Sequence, residues 1–231
     1  MSQPEVQYLD WGLIDFKSAW ERQEQLLQSI IERKKSDPSS NLNATPHYFI
    51  LCEHPHVYTL GKSGDEKNLL ANSELLDKQG ATFYKINRGG DITYHGPGQL
   101  VGYPILNLDD FFHDVHQYMR YLEDVIIKSL SDFNIASERY TGLTGVWLDA
   151  EKPNARKICA MGVRLSRWVT MHGFALNVNT KLDYFSNIVP CGITDKKVTS
   201  MQQELSRQVS MDEVKHAIRK NFESVFGATL C

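Results

Sequence analysis

Apolar residues in the first quarter of this chain switch between strand-like runs and helical spacing. An aromatic-rich run at 7–12 predicts a strand, and apolar residues at helical spacing then predict an amphipathic helix from residue 16 to about 33. The polar residues 34–41 predict a loop, because serine, proline and asparagine interrupt both kinds of repeat. Further apolar runs at 47–52 and 57–60 predict two more strands.

The middle of the chain continues with short segments of both kinds. Residues 68–78 predict a short helix, and the branched and aromatic runs 81–86 and 100–106 predict strands. Asp114 has the residue type of a helix cap, since a stripe of apolar residues at helical spacing follows it as far as Ser129.

The last part of the chain predicts three strands and one helix. The strands are expected at 144–149, 156–166 and 168–179. Ser210 and Glu213 have the spacing of a capping box, and apolar residues at helical spacing follow them. No internal repeat, low-complexity tract or long linker divides the 231 residues. The pattern therefore predicts one α+β domain, a mixed sheet with helices packed against it.

A glycine-rich segment, residues 88–99, separates the predicted strands at 81–86 and 100–106. It contains four glycines, one proline, Arg88 and His95. Glycine admits positive φ and allows another group to approach the backbone closely, so this composition suggests a wall against which a ligand lies. An ordinary glycine-rich loop is the alternative. We favour the ligand wall because the composition extends over the whole segment.

Composition and charge exclude several classes of function. The chain is 42% hydrophobic and 23% charged with a net charge of −3, so no overall positive field favours nucleic acid. No apolar run approaches the ~20 residues that cross a membrane, and the first residues lack the pattern of a signal peptide. We therefore expect a cytoplasmic protein without nucleic-acid or membrane partners, in which the four cysteines are reduced thiols.

Two cysteines could act as a nucleophile beside a lysine. A nearby cation lowers the pKa of a thiol from about 8.5 toward neutrality and so makes the reactive thiolate available. Cys159 follows Lys157 by two residues on a predicted strand, which places both side chains on one face. Cys191 lies between a proline and a glycine, in a loop that presents its side chain. Either thiol could pair with Lys157, and we favour Cys191 because a cysteine in mid-strand is usually packed.

Five segments of the chain occur in an order that resembles one known family. They are EHPHVYTLG at 53–61, RGGDITYHGPGQ at 88–99, KICAMGVR at 157–164, HGFALN at 172–177 and PCG at 190–192. This ordered set is similar to the lipoyl(octanoyl) transferases. The resemblance covers roughly residues 47–205 of a single catalytic domain at 1–231. His56 and Ala160 depart from the family's pattern, which commonly has proline and serine at these positions.

The resemblance implies a fold, a reaction and partners. The fold is an α+β catalytic domain similar to that of the biotin and lipoate protein ligases. The reaction moves an octanoyl or lipoyl group from acyl carrier protein to a lysine of a lipoyl domain through a cysteine thioester, as the first step of protein lipoylation. The lipoyl domains are those of 2-oxoacid dehydrogenase subunits and of the glycine cleavage H protein. A monomer without cofactor or metal is expected, because the acyl group arrives activated.

The resemblance also implies the residues of the site. The thioester-forming cysteine falls on Cys191, and the lysine that lowers its pKa falls on Lys157. The acyl pocket falls on Arg88, Gly89, Gly90, Asp91, Ile92, Thr93, Tyr94, His95, Ala160, Met161, Gly162, Gly173, Phe174 and Ala175. From its place near the end of the glycine-rich segment, His95 is expected to orient the reacting carbonyl. A structural hydrogen bond within the loop is the alternative role for His95.

Three other functions remain open at this point. An ATP-dependent lipoate or biotin ligase would share the fold but would not need Cys191 with Lys157. An amidotransferase that moves octanoyl groups between protein lysines would use the same cysteine chemistry, and the complete segment 88–99 favours the carrier-protein enzyme. A non-catalytic acyl-binding module would keep the glycine-rich wall and would need neither Cys191 nor Lys157.

Overall fold

Strands and helices alternate along the chain in the computed structural model, which describes residues 3–36, 46–189 and 197–231. Within these residues the strands are β1 (Glu5–Leu13), β2 (Tyr48–Glu53), β3 (Val57–Leu60), β4 (Thr82–Lys85), β5 (Ile92–His95), β6 (Gln99–Ile105), β7 (Glu138–Tyr140), β8 (Leu143–Leu148), β9 (Arg156–Ser166), β10 (Val169–Asn177), β11 (Lys197–Val198) and β12 (Thr229–Leu230). The α-helices are α1 (Phe16–Ser36), α2 (Ser73–Lys78), α3 (Val115–Ser131), α4 (Met201–Leu205) and α5 (Met211–Phe226).

Most of these strands join one mixed sheet, the main sheet. Its order is β12-β1-β2-β6-β10-β9-β8-β7, and β11 pairs with β9 beside this path. The pairs β1–β2, β1–β12 and β9–β11 are parallel, and the other pairs are antiparallel. A second, small sheet has the order β4-β3-β5. Because β5 lies inside the glycine-rich segment, residues 92–95 of that segment belong to the small sheet.

Helices cover both faces of the main sheet. On one face, α1 buries Leu27 and Ile30 against side chains of β2, β6 and β10. On the other face, α3 and α5 pack together and bury Leu122 and Phe222 in the larger core. Phe49 of β2 stacks on Phe222 with ring centroids 4.2 Å apart. This arrangement confirms the expected α+β fold, a mixed sheet with helices against it.

Helix caps lie where the sequence predicts them. The Asp114 carboxylate accepts hydrogen bonds from the backbone N–H groups of His116 (2.7 Å) and Gln117 (3.0 Å). Ser210 Oγ accepts one from the backbone N–H of Glu213 at 3.3 Å. Each bond satisfies a donor that has no partner inside its own helix. These caps therefore fix the starts of α3 and α5.

Helix α1 continues past its predicted end near residue 33. It reaches Ser36, and Lys34 stays in its last turn because Nζ forms an ion pair with Asp109 at 2.5 Å. The predicted loop is therefore wrong for residues 34–36, and the rest of it lies outside the described residues. No described helix combines the length and the apolar character needed to cross a membrane.

The predicted helix at 68–78 is shorter than expected. Asn72 caps α2, and its side chain accepts a hydrogen bond from the backbone N–H of Leu75 at 2.9 Å. Upstream, Leu69 forms an antiparallel β-bridge with Ile188. This long-range pairing holds the chain extended before the cap, so the helix begins only at Ser73.

Candidate active site

A cavity of about 440 Å³ lies between the small sheet and the main sheet. The glycine-rich segment lines it with residues 88–93 and His95, while β9 and β10 line it with residues 160–163 and 172–175. The two walls are joined where the Gly89 N–H donates to the Val163 carbonyl at 2.9 Å. A cavity of this size is typical of a small-molecule site.

The cavity brings together most of the residues that the resemblance assigns to the site. The pocket residues found along it are Arg88, Gly89, Gly90, Asp91, Ile92, Thr93, His95, Ala160, Met161, Gly162, Gly173, Phe174 and Ala175. Lys157 also lines the cavity. Cys191, the predicted nucleophile, lies outside the described residues.

Tyr94 lies elsewhere. Its ring is fully buried in the core of the small sheet, between Tyr58 and Tyr184. Its hydroxyl lies 2.7 Å from Nδ1 of His56. Successive side chains of a strand point to opposite faces, so Tyr94 leaves the cavity while its neighbour His95 lines it.

Close backbone approach explains two of the glycines at the cavity. A Cβ at Gly162 would lie 2.8 Å from the Gly89 carbonyl oxygen and 3.2 Å from Cδ of Arg88. Gly90 has a φ of +86°, in the region that favours glycine. The two walls can therefore meet only where side chains are absent.

Arg88 is a buried cation in the glycine-rich wall. Its Nη2 donates to the Thr59 carbonyl (2.7 Å) and to the Thr59 hydroxyl (3.0 Å), and its Nη1 donates to the Gly89 carbonyl (3.0 Å). These acceptors hold the guanidinium in place without themselves carrying negative charge. Its positive charge contributes to the lowered pKa values of His95 and His172, which line the same cavity.

Three buried histidines at or near the cavity are neutral at physiological pH. Burial is the main cause of a lowered pKa in all three, to about 3 for His95 and His172 and to about 4 for His54. At His95 the neighbouring His54 lowers the pKa further, ahead of Arg88. Neutral rings of this kind offer one N–H donor and one acceptor nitrogen for hydrogen bonds, and they do not act as general acids near pH 7.

The free energy of unfolding is expected to fall as the pH drops below about 6.5. These histidines ionise near pH 6.5 when unfolded but only near pH 3 to 4 when folded, so in that window the unfolded state binds more protons. Their contribution to stability is complete above about pH 6.5 and is lost as the pH falls, at up to about 1.4 kcal/mol per pH unit for each histidine. Denaturant titrations at a series of pH values below about 7 measure this loss of unfolding free energy.

A variant of one buried histidine provides the control for that measurement. His172→Gln is expected to make the pH dependence of the unfolding free energy shallower than in the wild type. An unfolding free energy that stays flat between about pH 7 and 5 would contradict the assignment of neutral buried rings.

Lys157 reaches the cavity from β9, whereas Cys159 on the same strand does not take part in it. Nζ of Lys157 lies 4.6 Å from the ring centroid of Trp147, a cation–π distance. Cys159 is fully buried in the main core, and burial raises the pKa of its thiol. Cys159 is therefore packed, as the residue pattern predicts for a cysteine in mid-strand.

The described residues on both sides of segment 190–196 are anchored at the cavity. Before it, the Val189 N–H donates to the Asn68 carbonyl at 2.9 Å, and Nδ2 of Asn68 donates to the Asp91 carboxylate at 2.6 Å. After it, both residues of β11 line the cavity, and Val198 pairs with Lys157. The chain thus enters and leaves this segment next to the residues of the cavity.

Sequence reasoning missed the side chains that complete the cavity. They come from several elements and include Phe16, Val101, Tyr103, Met119, Trp147 and Phe185. Their apolar character predicted strands or helices, and nothing local marks which of them face a ligand. His172 was also missed, although it opens the segment 172–177. Its φ of +61° is uncommon for a residue other than glycine.

Comparison with known proteins defines the family and the fold of this chain. Residues 15–223 match the family model of the lipoyl protein ligase A/B catalytic domain. In solved structures, a bi-partite lipoate protein ligase from Thermoplasma acidophilum matches with a TM-score of 0.73 at 16% identity, covering 99% of this chain and 86% of that one. The chain therefore has the fold of a lipoyl protein ligase catalytic domain.

Two bacterial relatives narrow the class further. The octanoyltransferase of Flavobacterium psychrophilum is 56% identical over 97% of this chain and 98% of its own. That of Cytophaga hutchinsonii is 58% identical over 94% of this chain and 91% of its own. The chain belongs to the octanoyltransferase family, and the acyltransferase activity expected from the resemblance is confirmed. The thioester on Cys191 and the roles of the pocket residues stay predictions.

Proposed function

We propose that this chain, acting as one catalytic domain, transfers an octanoyl group from acyl carrier protein to a lysine of a lipoyl domain through a thioester on Cys191. The observation that carries the proposal is the cavity, which joins the Lys157 side chain to apolar walls and to both flanks of the segment that contains Cys191. Lys157 would lower the pKa of the Cys191 thiol, and the residues assigned to the pocket would bind the acyl chain.

The walls of the cavity suit a saturated acyl chain. Val101, Met161, Phe174 and Ala175 present apolar surface, and the glycines leave room beside the backbone. An octanoyl chain has six methylene groups, and burying them contributes about 5 kcal/mol at about 0.8 kcal/mol each. This burial holds the acyl group independently of the protein that delivers it.

In the first half-reaction the Cys191 thiolate attacks the carbonyl carbon of the carrier thioester. The new C–S bond forms as the old one breaks, and the carrier thiolate leaves with the electron pair. It takes a proton from the Lys157 ammonium, which becomes a neutral amine. Exchange of one thioester for another releases little free energy, so the acyl group stays activated without ATP.

In the second half-reaction the amine of the acceptor lysine attacks the same carbonyl carbon. The C–N bond of the amide forms, and the C–S bond breaks as the Cys191 thiolate leaves. The proton lost by the amine passes to neutral Lys157, which restores the ammonium–thiolate pair for the next cycle. Division of the transfer into two steps predicts ping-pong kinetics.

The partners that we propose follow the family. Octanoyl-acyl carrier protein is the donor, and the lipoyl domains of 2-oxoacid dehydrogenase subunits and the glycine cleavage H protein are the acceptors, in the cytoplasm and with this chain as a monomer. These partners are generally acidic. Lys197 is exposed and lines the cavity, which supports docking of an acidic partner at this position.

Wild-type protein mixed with octanoyl-acyl carrier protein is expected to gain the mass of one octanoyl group without ATP. Hydroxylamine should remove the adduct, because it cleaves thioesters, and a lipoyl domain should remove it by becoming octanoylated. Intact-protein mass spectrometry measures both steps. The matched reaction contains free octanoate, ATP and the lipoyl domain. Octanoylation of the lipoyl domain only in that reaction would support an ATP-dependent ligase, and no octanoylation in either reaction would support a binding module.

A further inference from the structure

A chain of hydrogen bonds runs through the protein from the backbone of Lys157 to the ring of His95. The Thr199 N–H donates to the Lys157 carbonyl at 2.9 Å, and the Thr199 carbonyl accepts from Nδ2 of Asn177 at 3.0 Å. Nε2 of Gln99 donates to Oδ1 of Asn177 at 2.9 Å, and Oε1 of Gln99 lies 2.8 Å from Nδ1 of His95. All four side chains beyond Lys157 are buried, so water does not compete for these bonds.

Two backbone carbonyls fix the direction of this chain, because a carbonyl can only accept a hydrogen bond. The carbonyl of Tyr94 lies 3.1 Å from one end of the Gln99 side chain, so that end must be the NH₂ group. The carbonyl of Thr199 identifies the NH₂ group of Asn177 in the same way. The oxygen of Gln99 therefore faces His95, and Nδ1 of His95 must carry the hydrogen.

This tautomer decides what His95 offers to the cavity. The ring lines the cavity and is nearly parallel to Phe16, with an interplanar angle of 9°. With the hydrogen on Nδ1 and the ring neutral, Nε2 carries a lone pair and no hydrogen. It can accept a hydrogen bond but cannot donate one to a carbonyl oxygen, which is what orienting the reacting carbonyl would require.

We propose that Nε2 of His95 accepts a hydrogen bond from the amine of the lysine that receives the octanoyl group. Gln99 and Asn177 are the positioning residues that keep the ring in the tautomer this bond needs. The proposal rests on the proposed transfer to an amine. The bond leaves the amine nitrogen with its own lone pair, which forms the C–N bond, while the departing proton passes to Lys157 as described above.

The two half-reactions differ in the donors that they bring to the reacting centre. The thioester of the carrier has no N–H group on the reacting carbonyl carbon or on its sulfur. The acceptor amine brings N–H groups to that carbon. A pure acceptor in the cavity therefore has a partner in the second half-reaction rather than in the first.

The tautomer itself can be measured without any activity. Long-range ¹⁵N–¹H correlation spectra of the wild-type protein with labelled histidine report which ring nitrogen carries hydrogen, and the signals lost in His95→Gln identify His95. A neutral ring with hydrogen on Nδ1 near pH 7 is expected. Hydrogen on Nε2, or a charged ring, would overturn the proposal whatever the activity of the variants.

Single-turnover kinetics then test the role of the positioning residues. Gln99→Met, which removes the acceptor at similar volume, is expected to slow the transfer of octanoyl from the acyl-enzyme to a lipoyl domain about tenfold. The rate of the loading step, in which octanoyl-acyl carrier protein acylates the enzyme, should fall much less. His95→Gln, which keeps an acceptor, should be faster in the transfer step than His95→Leu. Gln28→Met, at an exposed position on α1, is the matched control.

The two proposals fail in different ways. Wild-type protein that forms no acyl-enzyme would contradict the thioester route itself. Normal loading in all variants with an unchanged transfer step, or a loss confined to loading, would overturn the role of His95 and leave the thioester route intact.

Discussion

Replacement of Cys191 by alanine is expected to abolish both the octanoyl adduct and turnover. The thiolate forms the covalent bond in the proposed route, and loss of a covalent nucleophile lowers turnover by about 10⁴-fold or more. Intact mass spectrometry after mixing with octanoyl-acyl carrier protein measures the adduct, and octanoylation of a lipoyl domain measures turnover. Cys191→Ser is expected to lose the adduct as well, because its hydroxyl is a far weaker nucleophile without an adjacent strong base.

Cys159→Ala is the matched control for that experiment. Cys159 is a second thiol near Lys157 in sequence, but it is fully buried in the main core with a raised pKa. Its removal is expected to cost some stability and to leave most of the activity. An inactive Cys159 variant beside an active Cys191 variant would reverse the assignment of the nucleophile.

Most of the strands could be predicted because apolar and branched residues form runs that end at polar or glycine-rich positions. The run at 57–60 coincides with β3, and the predicted strand at 156–166 coincides with β9. Strand β5 was missed, because its four residues lie among glycines and are held by pairing with β3, which is distant in sequence. A short strand that depends on long-range pairing leaves no periodic signal of its own.

The site residues could be predicted where glycines and a charged side chain occur together in one segment. Residues 88–99 combine glycines with a cation, and the structure places most of residues 88–95 along the cavity. Met119 and Trp147 come from α3 and β8, and only the packing of these elements brings them to one cavity. Their apolar side chains suit a ligand contact and an ordinary core contact equally well, so the sequence does not show which contact they make.

The tautomer of His95 is a second property of the site that the sequence alone does not predict. The sequence places a histidine four residues before Gln99, which is compatible with either ring nitrogen facing the glutamine. The carbonyls of Tyr94 and Thr199 fix the direction of the hydrogen bond, and only the folded structure shows that the Gln99 amide group faces the Tyr94 carbonyl and the Asn177 oxygen. The role expected for His95 from residues 88–99 alone, orientation of the reacting carbonyl, stays a prediction that the measurement of the tautomer tests.

Lys157→Ala is expected to raise the pKa of the Cys191 thiol, because a lysine ammonium nearby favours the thiolate. A charge of opposite sign within about 4 to 6 Å shifts a pKa by about one to three units. The measurement is the rate of alkylation of Cys191 as a function of pH, whose midpoint should move upward by about one unit or more. Cys159 contributes little to this signal, since it is fully buried.

Lys157→Arg separates the two roles that the mechanism gives to this residue. Arginine keeps the positive charge, so the alkylation midpoint should stay close to that of the wild type. Arginine does not give up its proton at physiological pH and cannot accept one from the incoming amine. The rate of transfer from the acyl-enzyme should therefore fall by about 10²-fold or more even though the thiolate is present.

An alkylation midpoint that stays low in Lys157→Ala would remove the electrostatic role of Lys157. Full transfer by Lys157→Arg would remove the role in proton transfer, so each outcome tests one step of the mechanism separately.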